Sequence, residues 1–149
     1  MAKFLYRMQN ILDIKMRLET QAKTAYAEAN NKVLEEEEKL SRLYRRKKDY
    51  EQAYRECAEG NLDFAGMARF SKAVETMQQY IKRQIVSVNV AQKNLELARV
   101  RLNDAMQDRK THEKLKENAF EVFKQELNDQ EKKEIDELVS YKYNNKEGD

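Results

Sequence analysis

Proline is absent from all 149 residues, and two of the three glycines, Gly60 and Gly66, stand six apart near the middle of the chain. A proline inside either flank would remove a backbone donor and break a helix, while glycine lets a chain leave right-handed geometry at little cost. Confinement of both glycines to one spot therefore predicts an all-α fold of two long helices and one turn. The expected limits are a helix over about 3–59, a turn over about 60–66, a second helix over about 67–142 and a disordered tail over about 143–149, all in one elongated domain.

Composition narrows this further. With 38% charged and 40% hydrophobic residues and no tryptophan, the chain can supply one continuous apolar seam but not a thick globular core. A net charge of +2 offers no electrostatic case for nucleic acid as partner. Cys57 is alone, so no intrachain disulfide can form, and a reducing cytoplasm is the expected compartment. No stretch is apolar enough to insert in a membrane, and the N-terminus lacks a secretory apolar block.

Heptad spacing runs along both flanks. In the first, Phe4, Met8, Ile11, Leu18, Ala22, Ala25, Ala29, Val33, Leu40, Leu43, Tyr50, Tyr54 and Cys57 are separated mostly by three, four or seven. Two consecutive steps of four, Ala25 to Ala29 to Val33, predict a stutter, and the polar positions Lys15, Glu36 and Lys47 are expected to snorkel or sit loosely. The second stripe, Met67, Phe70, Val74, Met77, Ile81, Val88, Ala91, Leu95, Ala98, Leu102 and Ala105, is interrupted only by the polar Gln84. Two seams about one turn predict an antiparallel coiled-coil hairpin. Pairs such as Glu28 with Lys32, Glu35 with Lys39 and Glu38 with Arg42 would each support the helix by ~0.2–0.5 kcal/mol.

Between the flanks, Glu59-Gly60-Asn61-Leu62-Asp63-Phe64-Ala65-Gly66 combines a helix-ending glycine with two residues able to cap the next helix. Folding back about Asp63 would bring Tyr54 to the region of Lys72, Leu43 to that of Arg83 and Phe4 to Val122 and Phe123. The second helix then outruns the first, giving a C-terminal helical overhang with Leu127, Ile135, Leu138 and Val139 lacking an intramolecular partner. Apolar residues bared on a lone helix are normally covered by something.

No constellation for chemistry emerges. His112 and Cys57, the only residues of their kinds, fall far apart in the hairpin register, which disfavours a Cys-His nucleophile and a His/Cys metal site; the reading is non-enzymatic, with no cofactor and no metal. Glu35 to Glu38 are consecutive and fan round the helix as a solvated acidic turn. The basic clusters at 45–48 and 109–114 lack an aromatic stacking platform and read as solvated faces. Tyr44, Tyr50, Tyr54 and Tyr80 concentrate near the turn, where tyrosine serves equally as seam packing or as a contact patch.

The two ends carry a family resemblance. Phe4-Leu5-Tyr6-Arg7-Met8-Gln9-Asn10-Ile11-Leu12-Asp13-Ile14-Lys15 resembles the opening of FliJ, the flagellar export protein, in its Phe-x-Tyr-Arg-x-Gln-x-x-Leu-x-x-Lys form. Ala105 with Asp108-Arg109-Lys110, Glu113-Lys114-Leu115 and the closing Glu131-Lys132-Lys133-Glu134-Ile135-Asp136-Glu137 is similar to the family's basic run and terminal Asp-Glu pair. The resemblance implies a cytoplasmic component of the flagellar type III export apparatus, peripheral at the membrane's cytoplasmic face, shaped like the stalk of rotary ATPases. Implied partners are the hexameric export ATPase, the cytoplasmic domain of the export gate and export chaperones emptied of cargo. Tyr50, Tyr54 and Met77 match gate-facing positions. Leu43, Lys47, Ala73, Tyr80 and Gln84 fall at neighbouring ones but differ in type. The implied ATPase contact joins Phe4, Tyr6 and Arg7 to Arg109, Lys110, Glu113, Leu127, Ile135, Asp136 and Glu137. The competing reading is a structural adaptor, either a generic helical hairpin or a dimeric coiled-coil scaffold, with no ATPase to serve.

Overall fold

The computed structural model describes residues 2–147. Two helices pack against each other in antiparallel fashion: α1, Gln9–Ala58, and α2, Phe64–Glu147. Among the described residues there is no strand. Helix limits differ from the expected ones in two places. Residues 2–6 precede α1 without helical structure. Helix α2 begins three positions earlier than expected, at Phe64, and continues to Glu147, so the expected disordered tail is helical over 143–147, and 148–149 lie outside the described residues.

The early start of α2 has a local cause. Gly60 adopts φ 71°, the left-handed conformation that ends α1. Asp63 then caps α2, its Oδ1 accepting a hydrogen bond from the Gly66 amide at 2.9 Å. Gly66 thus belongs to the first turn of α2 rather than to the loop. The chain folds back about Gly60 and not about Asp63, so Tyr50 meets Phe70, with ring centroids 6.3 Å apart, where a fold-back at Asp63 would put it beside Thr76.

The chain divides into two compact units. One, Gln21–Asn103, contains the turn and most of the apolar seam. Its α2 face follows the expected stripe: Met77, Ile81, Val88, Ala91 and Ala98 are buried and Met67, Phe70, Val74, Leu95 and Leu102 half-buried. Its α1 face follows a steadier rule than the expected one. Tyr26, Ala29, Val33, Glu36, Leu40, Leu43, Lys47 and Tyr50 alternate by three and four, so Ala25 is exposed and there is no stutter. The tyrosine at 26 takes the position that apolar counting gave to Ala25, because its ring packs inward while its hydroxyl can stay at the edge.

Glu36 shows why the seam tolerates a carboxylate. Only 6% exposed, it neither snorkels nor sits loosely. Gln84 of α2 donates from Nε2 to both its backbone carbonyl, at 2.9 Å, and its side chain, at 2.5 Å. Lys32 and Lys39 approach the same carboxylate at 3.1 and 3.3 Å. Hydrogen bonds from Gln84 and Lys32 hold its pKa down to about 2. The expected solvated acidic turn therefore contains one inward member, to which Lys39 turns rather than to Glu35, and Lys32 rather than to Glu28, Lys32 also coming within 4.0 Å of Glu35. Glu38 and Arg42 do pair, at 2.8 Å.

The other unit comprises Met1–Thr20 and Asp104–Asp149. Its seam is more polar. Leu12 and Glu19 are buried on α1, and Ala105, Arg109, His112, Lys116, Ala119 and Phe123 are half-buried on α2 at steps of three and four. Leu18, expected in the seam, is 46% exposed, whereas its neighbour Glu19 faces inward to an ion pair with Arg109. Met8 and Ile11 are likewise exposed, and Leu12 takes the inward position. Counting only apolar residues moved the expected seam one position towards the N-terminus.

Candidate functional site

Two sets of residues were singled out by sequence, and each lies within one compact unit.

The set near the turn belongs to Gln21–Asn103. Its members separate by the direction in which heptad geometry turns them. Leu43, Lys47, Tyr50 and Ala73 are half-buried between the helices and Met77 is buried. Lys47 reaches Glu51 at 3.8 Å. Gln84 is committed to Glu36. Tyr54 and Tyr80, by contrast, are exposed. Tyr54 lies beside Arg55, Glu51, Ser71 and Val74 in an open groove of about 360 Å³. An amphipathic ring at the lip of a shallow apolar groove is suited to a protein contact, since it buries area at small entropic cost. At the turn itself Leu62 and Phe64 are bare, the latter 72% exposed; sequence reading passed over both because they lie outside the heptads.

The second set belongs to the unit formed by Met1–Thr20 and Asp104–Asp149. Phe4 sits against two rings of α2, edge-on to Phe120 at 5.1 Å and tilted on Phe123 at 5.4 Å. Val122, expected beside it, faces solvent. Tyr6 is half-buried, and its hydroxyl oxygen is buried without a hydrogen-bond partner. Arg7 is exposed. Arg109 bridges Glu19 through Nε and Glu113 through Nη1, the latter at 2.8 Å. The hydrogen bond to Glu19 is the main reason its pKa is raised. Lys15 reaches Asp108 at 3.4 Å, and Lys110 is exposed. Arg109 and Glu113 thus form part of the packing between the helices, while Arg7 and Lys110 face outward.

Beyond Leu127 the helix is bare over residues 128–146. Leu127 is half-covered, lining a pocket with Ala2, Gln130, Glu131 and Glu134, rather than wholly unpartnered. Ile135, Leu138 and Val139 are 58%, 60% and 61% exposed, and Asp136 and Glu137 flank them in solvent. Spacing of three and four puts the three aliphatics on one face, with Tyr141 and Tyr143 exposed further along. A helix with an aliphatic stripe and no intramolecular cover is suited to association with another chain.

Among the described residues no group of His, Cys, Asp and Glu is arranged to hold a metal ion, and no helix is long and apolar enough to cross a membrane. His112 and Cys57 lie in different units.

No curated protein and no solved structure matches the chain. The family model described as flagellar FliJ protein matches residues 4–148, nearly the whole chain. The chain therefore belongs to the FliJ family and is a component of the flagellar export apparatus.

Proposed function

We propose that the protein acts without catalysis of its own, as a coiled-coil link between the hexameric export ATPase and the cytoplasmic domain of the export gate, and that it also receives export chaperones emptied of cargo. It works in the cytoplasm, peripheral to the membrane through the apparatus. The observation that carries this reading is the uncovered stripe of Ile135, Leu138 and Val139 on a helix that has outrun its partner. A single helix can be surrounded by a ring, and aliphatic side chains spaced by three and four give such a ring a face to grip. Arg7 and Lys110, both outward, would meet acidic groups at the mouth of that ring. The gate contact is drawn from the turn-proximal surface, with Tyr54 and Tyr80 as its accessible anchors; Met77 and Gln84 support it from inside the seam.

The test is ATP turnover by the purified export ATPase with the full chain and with a chain ending at residue 127. Loss of stimulation on truncation, with the rest of the chain still helical, is the expected result. Undiminished stimulation would rule out docking through the overhang and favour a generic adaptor.

A further inference from the structure

Residues 2–8 hold a position that the docking of the overhang must reckon with. This segment is not part of α1 and lies along α2 at the base of the bare stripe, with Phe4 against Phe120 and Phe123 and Ala2 beside Leu127 and Gln130. Its attachment is almost wholly through side chains. Among the described residues no backbone hydrogen bond joins it to α2; the nearest ones close its own turn, from Gln9 to Tyr6 at 3.2 Å and from Leu12 to Met8 at 3.1 Å. Leu5 contributes little, being 82% exposed. Tyr6 brings a buried hydroxyl with no partner, an arrangement that costs free energy until water or another chain reaches it. Two half-buried aromatic side chains, Phe4 and Tyr6, and no backbone ladder to α2 among the described residues describe a segment held by side chains alone, which can open without breaking a helix.

The surface underneath is of the opposite character. Phe120 and Phe123 form an aromatic notch, with the Lys124 ammonium 4.8 Å from the Phe120 ring centroid. Leu127 lies one turn further along the same face, and beyond the polar turns of Gln130, Glu131 and Glu134 the stripe resumes at Ile135 and Leu138. A partner enclosing the overhang would gain most by following this stripe back to the two phenylalanines, and Phe4 stands in the way.

We propose that residues 2–8 are a displaceable strap, an intramolecular cover that occupies the Phe120–Phe123 notch in the free chain and is displaced when the partner of the overhang docks. The strap keeps the aromatic surface from self-association while the chain is free, and it lowers apparent affinity by the fraction of time it stays closed. Phe4 is then a competitor of the partner rather than part of the contact. The proposal rests on the reading of the overhang as the ATPase-docking element, and its test separates the two.

The chain contains no tryptophan, so Phe4→Trp places a single fluorescent reporter in the notch. Its emission should be blue-shifted in the free chain and move to the red when the export ATPase is added. Emission that stays blue at saturating ATPase would overturn the strap. In parallel, Phe4→Ala should lower the chain concentration giving half-maximal ATPase stimulation about fivefold, as expected for a cover closed roughly four-fifths of the time. A higher half-maximal concentration would overturn the strap in favour of Phe4 as a direct contact, and an unchanged one would overturn it by showing that nothing is uncovered. Should the indole already be in water in the free chain, the Phe4→Ala titration decides alone. If the emission shifts and the chain ending at residue 127 still stimulates fully, docking through the overhang fails although the ATPase still displaces residues 2–8; if truncation abolishes stimulation and neither Phe4 variant behaves as expected, the strap fails and the docking reading stands.

Discussion

Replacing Gly66 by alanine sets helix propensity against a cap, and the structure decides which prevails. Gly66 is three residues into α2 from Asp63, and alanine in a helix is worth ~1 kcal/mol over glycine. Propensity alone therefore calls for stabilisation. A Cβ at this position, however, would lie 2.9 Å from the Asp63 Cγ and closer still to Oδ2, and 2.9 Å from the Cys57 Sγ. The carboxylate cannot retreat without giving up the hydrogen bond it accepts from the Gly66 amide at 2.9 Å. Losing an N-cap costs ~0.5–2 kcal/mol, and leaving a buried amide unpaired adds ~1–3 kcal/mol where water cannot reach it. Offset by the propensity gain, Gly66→Ala should be net destabilising, by ~0.5–4 kcal/mol.

The decisive version is a cycle run in a Cys57→Ala background, which removes the sulfur contact. With Asp63 present, Gly66→Ala should destabilise. With Asp63→Ala the cap is already gone and nothing blocks the new methyl, so the same change should stabilise by ~0.5–1 kcal/mol. Urea unfolding followed by far-ultraviolet circular dichroism gives each corner, with the slope checked for constancy. An equal effect of Gly66→Ala in both backgrounds would refute the idea that the Asp63 carboxylate reserves this space for glycine.

Leu12→Ala, at a position 4% exposed, should cost ~2–4 kcal/mol by the same measurement, against less than ~1 for Leu18→Ala at 46%; equal losses would restore the seam drawn from apolar spacing alone. Glu36 has its pKa lowered from 4.5 to about 2, so the stabilisation it contributes is complete above pH 4.5 and lost as pH falls from there towards 2. Thermal midpoints of the wild type should drop more steeply across that window than those of Glu36→Gln, and parallel curves would remove Glu36 from the acid response. Tyr54→Ala with Tyr80→Ala should weaken binding to the gate's cytoplasmic domain in a pull-down at least tenfold, since aromatic anchors carry ~1–4 kcal/mol each, while ATPase stimulation stays intact; loss of both would indicate a damaged hairpin.

Much of the fold was legible because the punctuation is so sparse. With no proline and with Gly60 and Gly66 together at mid-chain, two apolar stripes pointed to a hairpin, and the left-handed Gly60 supplies its turn. The α2 stripe was read correctly from Met67 to Ala105 because nearly every inward position there is aliphatic. The α1 stripe was read correctly at Lys15 and Ala22 but misread at Leu18 and Ala25, because the inward residues there are Glu19 and Tyr26, which apolar counting passes over in favour of the neighbouring hydrophobe. The start of α2 misled for another reason: Asp63 was one of two cap candidates and is the cap, but Gly66 looks like a loop residue and lies inside the first turn. Which candidate contact residues remain accessible was legible only in part: spacing put Met77 inside the seam and Tyr80 off it, but it also put Tyr54, which is exposed, inside. Exposure at the edge of a seam depends on the partner helix's register.

Register is what the buried polar residues supply. An aliphatic seam can slide by one heptad and still bury aliphatics, so it specifies packing without specifying alignment. A buried carboxylate has no such freedom. In the unit Gln21–Asn103, a slip of seven would set Glu36 against Ala91 or Met77 and strip it of the Gln84 amide, leaving a charge in the seam held only from its own helix. In the unit of Met1–Thr20 and Asp104–Asp149, Glu19 with Arg109 and Lys15 with Asp108 do the same work. There the consequence reaches function. Sliding the N-terminal residues seven positions along α2 would carry Phe4 off Phe120 and Phe123 and either cover or uncover two further turns of the overhang. The Glu19–Arg109 pair, the least helpful to a count of hydrophobic residues, is thus what fixes how much of the Ile135, Leu138 and Val139 helix is left free to be held by another protein.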